Sequence, residues 1–263
     1  MEPDLVANVE TQGKVKFICR RPLKDAPLRL FCFPYAGGGL TAFRSWLDYL
    51  PHNVEVQVLE MPGREAQLRL PSFVRVEPLI RAIADAMKDY EDRPFAFFGH
   101  SMGALVSFEL SRLLRRAEMT PPRALLVSGR RPPQLPIEPP TYNLPEEEFV
   151  AELREMGGTP EEVLRHPELL TLLLPTLRSD FELCQTYSYT EEPPFSFPIT
   201  AFGGLNDKFV PREEMERWRE QTTGSFQLRM FPGDHFFLHS SQALLLQMLS
   251  RDLVHVISTL PKP

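Results

Sequence analysis

The most informative feature of this chain is the stretch Gly-His-Ser-Met-Gly at residues 99–103. An apolar run at residues 94–98 precedes it, and an amphipathic segment at residues 104–116 follows it. Strand, sharp turn and helix in this order form a nucleophile elbow, which exposes the central serine at the tip of the turn. The flanking glycines permit the turn, because a Cβ at either place would collide with the neighbouring strand or helix. Ser101 is therefore the predicted nucleophile.

A serine hydroxyl attacks a carbonyl at neutral pH only with the help of a general base that a third group orients. Six histidines are present. His235 lies between the apolar segment 226–231 and the last helical segment, where the base belongs when the triad order is Ser, acid, His. His239 is the alternative base. The other four are less suited, since they lie inside the elbow, beside prolines or within a helical segment: His100, His52, His166 and His255.

The acid that orients the base should follow another strand, between the nucleophile and the base along the chain. Asp207 comes just after the apolar segment 199–203. Asp234 is a poorer candidate because it adjoins the base and neighbouring side chains diverge, and Asp180 is a weaker one because it belongs to an inserted region. Asp207 would hold the imidazole in one tautomer and stabilise the imidazolium without accepting its proton.

Negative charge that develops on the attacked carbonyl oxygen requires two backbone N–H donors. Met102, the residue after the nucleophile, is expected to supply one of them. Ala36, in the loop after the apolar segment 28–33, is expected to supply the other. The glycines at 37–39 would let backbone and substrate approach closely. They lack the spacing of a dinucleotide or P-loop motif, so nucleotide binding is not expected.

Apolar runs and amphipathic segments alternate along the chain. The expected strands are 28–33, 54–59, 94–98, 123–128, 199–203 and 226–231, and the expected helices are 43–50, 76–90, 104–116, 211–221 and 241–258. Continuous apolar runs separated by helical segments are typical of a mainly parallel sheet with helices on both faces. We therefore predict an α/β fold in a single domain over residues 1–263.

A proline-rich insertion at about residues 130–189 interrupts this alternation. Short helical patterns follow within it, at residues 145–156, 160–165, 167–174 and 177–187. An insertion at this place would lie over the strand ends that carry the elbow, so we interpret it as a helical lid. Its leucines are equally consistent with helices that simply pack on the sheet. Arg130 and Arg131 could meet a phosphate or an acidic partner, or lie in a solvated loop.

Six segments carry a family resemblance that runs from about residue 28 to the final helix. They are Phe-Pro-Tyr-Ala-Gly-Gly-Gly (33–39), Met-Pro-Gly-Arg-Glu (61–65), Phe-Gly-His-Ser-Met-Gly (98–103), Ser-Gly-Arg-Arg (128–131), Leu-Arg-Ser-Asp (177–180) and Gly-Asp-His-Phe (233–236). In combination they resemble the type II thioesterases, which serve polyketide synthases and nonribosomal peptide synthetases and are related to the medium-chain thioesterase of fatty acid synthase. The family's usual Arg-Ala-Asp is Arg-Ser-Asp here, a small departure.

The resemblance implies an α/β-hydrolase fold with a mobile helical lid, and it supports Ser101, Asp207 and His235 as the triad. It also implies hydrolysis of acyl thioesters on the phosphopantetheine arm of acyl or peptidyl carrier proteins, which clears stalled or misprimed units. Phosphopantetheine would arrive on the substrate, and no cofactor or metal of the enzyme's own is expected. The alternatives are a carboxylesterase or lipase, an acyltransferase with the same triad, and a non-catalytic binding module.

Composition limits the other classes of function. The formal net charge is −6, which does not favour nucleic-acid binding. Residues 1–16 carry charges and no long apolar core, so a secretory signal is not expected, and no stretch has the ~20 apolar residues of a membrane span. The three cysteines lack C-x-x-C spacing and predict neither a disulfide framework nor a zinc site. We therefore expect a reduced, cytoplasmic protein.

Overall fold

A sheet of seven strands is the centre of the computed structural model, which describes residues 14–136 and 139–261. The strands are β1 (Lys16–Cys19), β2 (Leu28–Phe33), β3 (Val54–Glu60), β4 (Phe95–His100), β5 (Leu125–Ser128), β6 (Ile199–Gly204) and β7 (Phe226–Phe231). Their order is β1-β3-β2-β4-β5-β6-β7. β1 is antiparallel to β3, and every other neighbouring pair is parallel.

Helices cover both faces of this sheet. They are α1 (Val76–Met87), α2 (Met102–Arg116), α3 (Glu146–Met156), α4 (Glu161–Leu164), α5 (Pro167–Gln185), α6 (Arg212–Glu216), α7 (Phe237–Ser240) and α8 (Gln242–Ser258). Ile83 of α1 and Phe108 of α2 belong to the core on one face, and Leu249 of α8 packs with Trp46 in the core on the other. Every residue of β2 to β6 is buried, as expected for strands covered on both sides. The predicted α/β fold is confirmed.

Two elements near the beginning of the chain differ from the sequence prediction. The helix expected at 43–50 is instead two short 3₁₀ helices, Leu40–Phe43 and Trp46–Asp48. β1 was not predicted, because Lys-Phe-Ile-Cys shows no clear alternation of polar and apolar residues. Its antiparallel pairing with β3 holds it in the extended conformation. The absence of a signal segment was predicted for residues 1–16, most of which lie outside the described residues.

The insertion lies between β5 and β6 and contains α3, α4 and α5. The segments 167–174 and 177–187, predicted as separate helices, form the single helix α5, which continues through Pro175. Proline removes one backbone hydrogen bond from a helix but does not always end it. The insertion has an apolar cluster of its own: Phe149, Leu153, Leu164, Leu174, Leu177 and Phe181. In the part of the chain that the structure describes, no helix combines the length and apolar character needed to cross a membrane.

Candidate active site

The sharp turn between β4 and α2 carries the predicted nucleophile. Ser101 has φ 51° and ψ −110°, a conformation that costs a residue with a side chain about 1–3 kcal/mol. Packing around the turn imposes it: a Cβ at Gly99 would lie 2.1 Å from the Gly103 carbonyl oxygen, and one at Gly103 would lie 2.0 Å from the Phe33 carbonyl oxygen. The backbone therefore has the form of a nucleophile elbow, and the start of α2 lies directly against the end of β2.

Asp207 and His235 form a buried hydrogen-bonded pair. His235 Nδ1 lies 2.8 Å from Asp207 Oδ2, and the two residues are 5% and 7% exposed. The other carboxylate oxygen, Oδ1, accepts the backbone N–H groups of Phe209 at 2.9 Å and Val210 at 3.1 Å. These bonds anchor the carboxylate, which therefore receives the Nδ1–H of the imidazole and leaves Nε2 as the basic nitrogen.

The loops after β6 and β7 bring this pair together. The two strands are parallel neighbours, so both loops leave the sheet at the same edge. Asn206 donates its backbone N–H to the Gly233 carbonyl oxygen at 2.9 Å. A Cβ on Gly204 would lie 2.3 Å from the Asp234 carbonyl oxygen, so a larger residue there would push the loops apart. Close backbone contact thus sets the distance between the acid and the base.

Ser101 and His235 line the same cavity. Within residues 14–136 and 139–261, no hydrogen bond joins the Ser101 hydroxyl to the imidazole in this structure. Rotation about Cα–Cβ carries the hydroxyl between staggered positions, and catalytic hydrogen bonds often tighten only when substrate is bound. The acid–base contact is therefore formed, and the nucleophile lies in the cavity that the base also lines.

The other candidates for the acid and the base have different partners. Asp234 accepts a backbone N–H from its own loop at 2.9 Å, and Asp180 forms an ion pair with Arg64. His239 Nε2 lies 2.9 Å from the Tyr35 hydroxyl oxygen, and burial lowers the pKa of this imidazole. Three further histidines are exposed at the surface: His52, His166 and His255.

His100, inside the elbow, is fully buried. Its Nδ1 lies 2.8 Å from the Ser128 hydroxyl oxygen, and its ring centre is 5.3 Å from that of His235. Burial is the main reason that the pKa of His100 lies well below 6.5, and the charges of His235 and His239 lower it further. His100 therefore stays neutral near pH 7 and adds no charge beside the base.

The two predicted oxyanion donors lie on adjoining segments. Met102 is the first residue of α2, where an N–H has no acceptor within the helix. Ala36 is the second residue of a turn that the Gly38 N–H closes on the Tyr35 carbonyl oxygen at 2.9 Å. The third residue, Gly37, has φ 74°, as a type II turn requires. Among the described residues neither donor has an acceptor, and Ala36 lines the cavity.

The cavity over the elbow has a volume of about 190 Å³. The insertion supplies most of its apolar wall, including Leu135, Leu153, Met156, Leu177 and Phe181. No group of three or more His, Cys, Asp or Glu side chains that could hold a metal ion is present in the described part of the chain.

Two polar residues of the cavity, Cys184 and Tyr187, were not predicted as site residues. Cys184 and Tyr187 contribute to the wall at the end of α5, and burial raises the pKa of both groups. In the predicted helix 177–187 they are three positions apart and share one face, but nothing in the sequence shows which face meets the cavity. In the structure α5 ends at Gln185, and Tyr187 lies just beyond it. Arg130 Nη1 lies 3.7 Å from the Cys184 sulfur, whereas Arg131 Nε pairs with Glu214 at 3.0 Å.

Known proteins resemble this chain in sequence and in fold. Residues 28–253 match the thioesterase domain model. The chain is 44% identical over 234 residues to the gramicidin S biosynthesis protein GrsT of Aneurinibacillus migulanus, covering 89% of this chain and 91% of GrsT. It is 36% identical to the thioesterase PikA5 of Streptomyces venezuelae, covering 83% and 78%. The structure of RedJ, a thioesterase of the prodiginine pathway in Streptomyces coelicolor, matches with a TM-score of 0.82 at 38% identity, covering 89% and 91%. The chain belongs to the thioesterase domain family.

Proposed function

We propose that this thioesterase hydrolyses acyl groups from the phosphopantetheine arm of carrier proteins, and so releases stalled or misprimed units in nonribosomal peptide or polyketide biosynthesis. The observation that carries the proposal is the buried Asp207–His235 pair in the cavity that Ser101 also lines. Relatives named for gramicidin S and prodiginine biosynthesis support the carrier-bound substrate. We also propose a single domain and a cytoplasmic location.

The first half of the reaction transfers the acyl group to the enzyme. The Ser101 hydroxyl oxygen attacks the thioester carbonyl carbon while His235 Nε2 takes the hydroxyl proton. The N–H groups of Ala36 and Met102 stabilise the negative charge on the carbonyl oxygen. The C–S bond then breaks, and the pantetheine sulfur takes the proton from His235 and leaves as a thiol, so that Nε2 is free to accept a proton again. Asp207 stabilises the imidazolium throughout this half-reaction.

The second half releases the acid. Water enters the cavity, His235 Nε2 removes one of its protons, and the oxygen attacks the acyl carbon of the ester on Ser101. The tetrahedral intermediate uses the same two N–H donors. Its collapse breaks the bond to the Ser101 oxygen, which receives the proton back from His235. The products are a carboxylic acid and free enzyme, so no external reagent other than water is consumed.

The insertion supports binding of the acyl chain. Its apolar side chains form much of the cavity wall, and burying methylene groups there is favourable by ~0.8 kcal/mol each. We interpret α3, α4 and α5 as a lid that covers the acyl chain while the pantetheine arm extends outward. Arg130, at the start of the insertion, is available to an anionic group that enters the cavity.

The experiment that tests the function compares carrier-bound thioesters with simple esters of the same acyl groups. Acetyl-, hexanoyl-, decanoyl- and aminoacyl-carrier proteins are offered to the wild type and to Ser101→Ala. We expect the carrier substrates to give the higher kcat/KM, and the alanine variant to lose ~10⁴-fold or more in kcat. A fluorophosphonate should label the wild type and leave Ser101→Ala unlabelled.

Each alternative function gives a different result in this assay. Faster hydrolysis of the simple esters would indicate a carboxylesterase. Transfer of the acyl group to an added alcohol or amine in preference to water would indicate an acyltransferase. Binding of acyl-carrier protein without any turnover would indicate a non-catalytic module.

A further inference from the structure

Two side chains from distant parts of the chain hold the turn that contains Ala36. Asp180, in α5, accepts the Gly37 N–H through Oδ2 at 2.7 Å. Arg64, in the segment after β3, donates from Nη1 to the Gly38 carbonyl oxygen at 3.0 Å. Partners outside the loop therefore fix two of the peptide groups that follow Ala36.

Arg64 and Asp180 also bind each other, and we call this pair the oxyanion-loop clamp. Nη1 lies 2.9 Å from Oδ2 and Nη2 lies 2.7 Å from Oδ1. The residues are only 5% and 2% exposed. Two parallel charge-assisted hydrogen bonds give a rigid geometry, and removal of either partner would leave a buried charge without compensation. The clamp is thus built to keep one arrangement of the turn.

Helix α5 lies directly on this turn. A Cβ on Gly37 would lie 2.6 Å from Leu177 Cδ2, so the Leu177 side chain packs directly against the turn. One helical turn before Asp180, the Thr176 hydroxyl donates to the Gly63 carbonyl oxygen and ties α5 to the segment that carries Arg64. The helix therefore delivers the Asp180 carboxylate to the turn and to its arginine partner together.

We propose that Arg64 and Asp180 are positioning residues for the oxyanion hole, an inference that rests on the function proposed above. Neither contacts substrate. By fixing the Gly37 N–H and the Gly38 carbonyl group, they keep the Ala36 N–H directed into the cavity. A donor aligned in advance stabilises the transition state without reorganisation during the reaction. Because Asp180 belongs to the insertion, the oxyanion hole is complete only while α5 is seated on the turn.

The test uses Asp180→Asn in the full chain, with Arg64→Lys as a second variant that keeps the charge but loses the bidentate contact. We expect kcat for acyl-pantetheine hydrolysis to fall ~10²-fold in Asp180→Asn, with little change in KM, because an oxyanion donor acts in the transition state. The affinity for a pantetheine trifluoromethyl ketone, whose adduct with Ser101 places an oxyanion in the hole, should fall by a similar factor. Arg64→Lys should show a smaller loss in both measurements.

Glu55→Gln provides the matched control for loss of a buried ion pair. Glu55 Oε2 accepts from Arg29 Nε at 2.6 Å, both residues are 5% exposed, and neither lines the cavity. This variant should unfold more easily than the wild type while it keeps kcat and inhibitor affinity. A purely structural role for the clamp predicts the same behaviour for Asp180→Asn.

The inference is overturned if folded Asp180→Asn or Arg64→Lys retains wild-type kcat and inhibitor affinity, or if Glu55→Gln loses kcat to the same extent as Asp180→Asn. If Asp180→Asn does not fold, Arg64→Lys decides the question by the same two measurements. Failure of the proposed function has a different signature, since wild-type enzyme would then reject acyl-carrier protein. In that case the ratios measured with a simple ester still test the clamp.

Discussion

At the scale of single residues, the Asp207 carboxylate has two distinct tasks. Its Oδ1 accepts two backbone N–H groups of its own loop, and its Oδ2 receives the His235 ring. The first set of bonds dictates which oxygen faces the imidazole. Replacement of Asp207 by the uncharged asparagine, which has the same shape, should therefore place a known group opposite the imidazole.

Asp207→Asn is expected to lower kcat by ~10⁴-fold without unfolding the protein. The amide oxygen would keep the two backbone bonds, so the NH₂ group would face His235 Nδ1. That arrangement favours the tautomer with the proton on Nε2, which cannot accept a proton from Ser101. Single-turnover acylation measures the effect.

Asp234→Asn is the control, because Asp234 lies beside the base but its carboxylate bonds, among the described residues, only to a backbone N–H of its own loop. It should keep a kcat close to that of the wild type. A large loss in this variant, or normal turnover in Asp207→Asn, would contradict the assignment of the acid.

Residue order along the chain accounts for how much of the site could be predicted. Ser101, Asp207 and His235 each follow an apolar run, and parallel strands place such positions at one edge of the sheet. The bond between Asp207 and His235 agrees with that prediction, while their catalytic roles stay predictions. The clamp was beyond prediction: Arg64 and Asp180 are 116 positions apart, and only the docked position of α5 brings them together.

At the scale of elements, the insertion differs from the sheet in how its backbone is protected. β4 and β5 are wholly buried, whereas only Phe149 and Leu153 are buried in α3 and only Leu164 in α4. A helix with few buried side chains opens locally at lower free energy. Movement of the proposed lid should therefore be visible as faster hydrogen exchange of its backbone amides.

Backbone amides of α3 and α4 are expected to exchange hydrogen faster than those of β4 and β5. The second half of α5, which carries Asp180, should exchange more slowly than α3 because the clamp holds it. Mass-spectrometric hydrogen exchange on the wild type measures both differences. Equal protection in the insertion and the sheet would argue against a mobile lid.

Some helix and strand bounds could be predicted from the sequence pattern alone, and others could not. β2 and β7 have the predicted bounds, and a proline directly after each strand marks its end. The helices predicted at 167–174 and 177–187 are one helix, α5, because packing of Leu174 and Leu177 on either side of Pro175 compensates the lost hydrogen bond. Tertiary contacts thus overrode a local signal.

At the scale of the whole molecule, Glu192 links the segment before β6 to α2. It forms ion pairs with three arginines of that helix: Arg112, Arg115 and Arg116. Burial opposes ionisation, but the hydrogen bonds and charges of these arginines prevail and lower the pKa of Glu192 to about 2. The contact therefore couples the protonation of one carboxyl group to global stability.

The sign of this coupling follows from the direction of the shift. A pKa that is lower in the folded state than its ordinary value of 4.5 gives a stabilisation that is present above pH 4.5 and is lost as the pH falls toward about 2. Glu192→Gln should lower the urea midpoint at neutral pH, and the difference from the wild type should shrink across that acidic range. A difference that is constant with pH would contradict the role of the charge.

The backbone conformation of Ser101 lowers the stability of the folded enzyme. Its φ of 51° suits glycine better than any residue with a Cβ, so the reaction requires a serine where the chain would tolerate a simpler residue more easily. Ser101→Gly should be inactive, yet its free energy of unfolding should exceed that of Ser101→Ala by ~1 kcal/mol. Glycine relieves the backbone strain of the folded state, and the greater conformational entropy of its unfolded chain offsets part of that gain. Thermal unfolding of the two inactive variants measures how much stability a residue with a Cβ costs at this position.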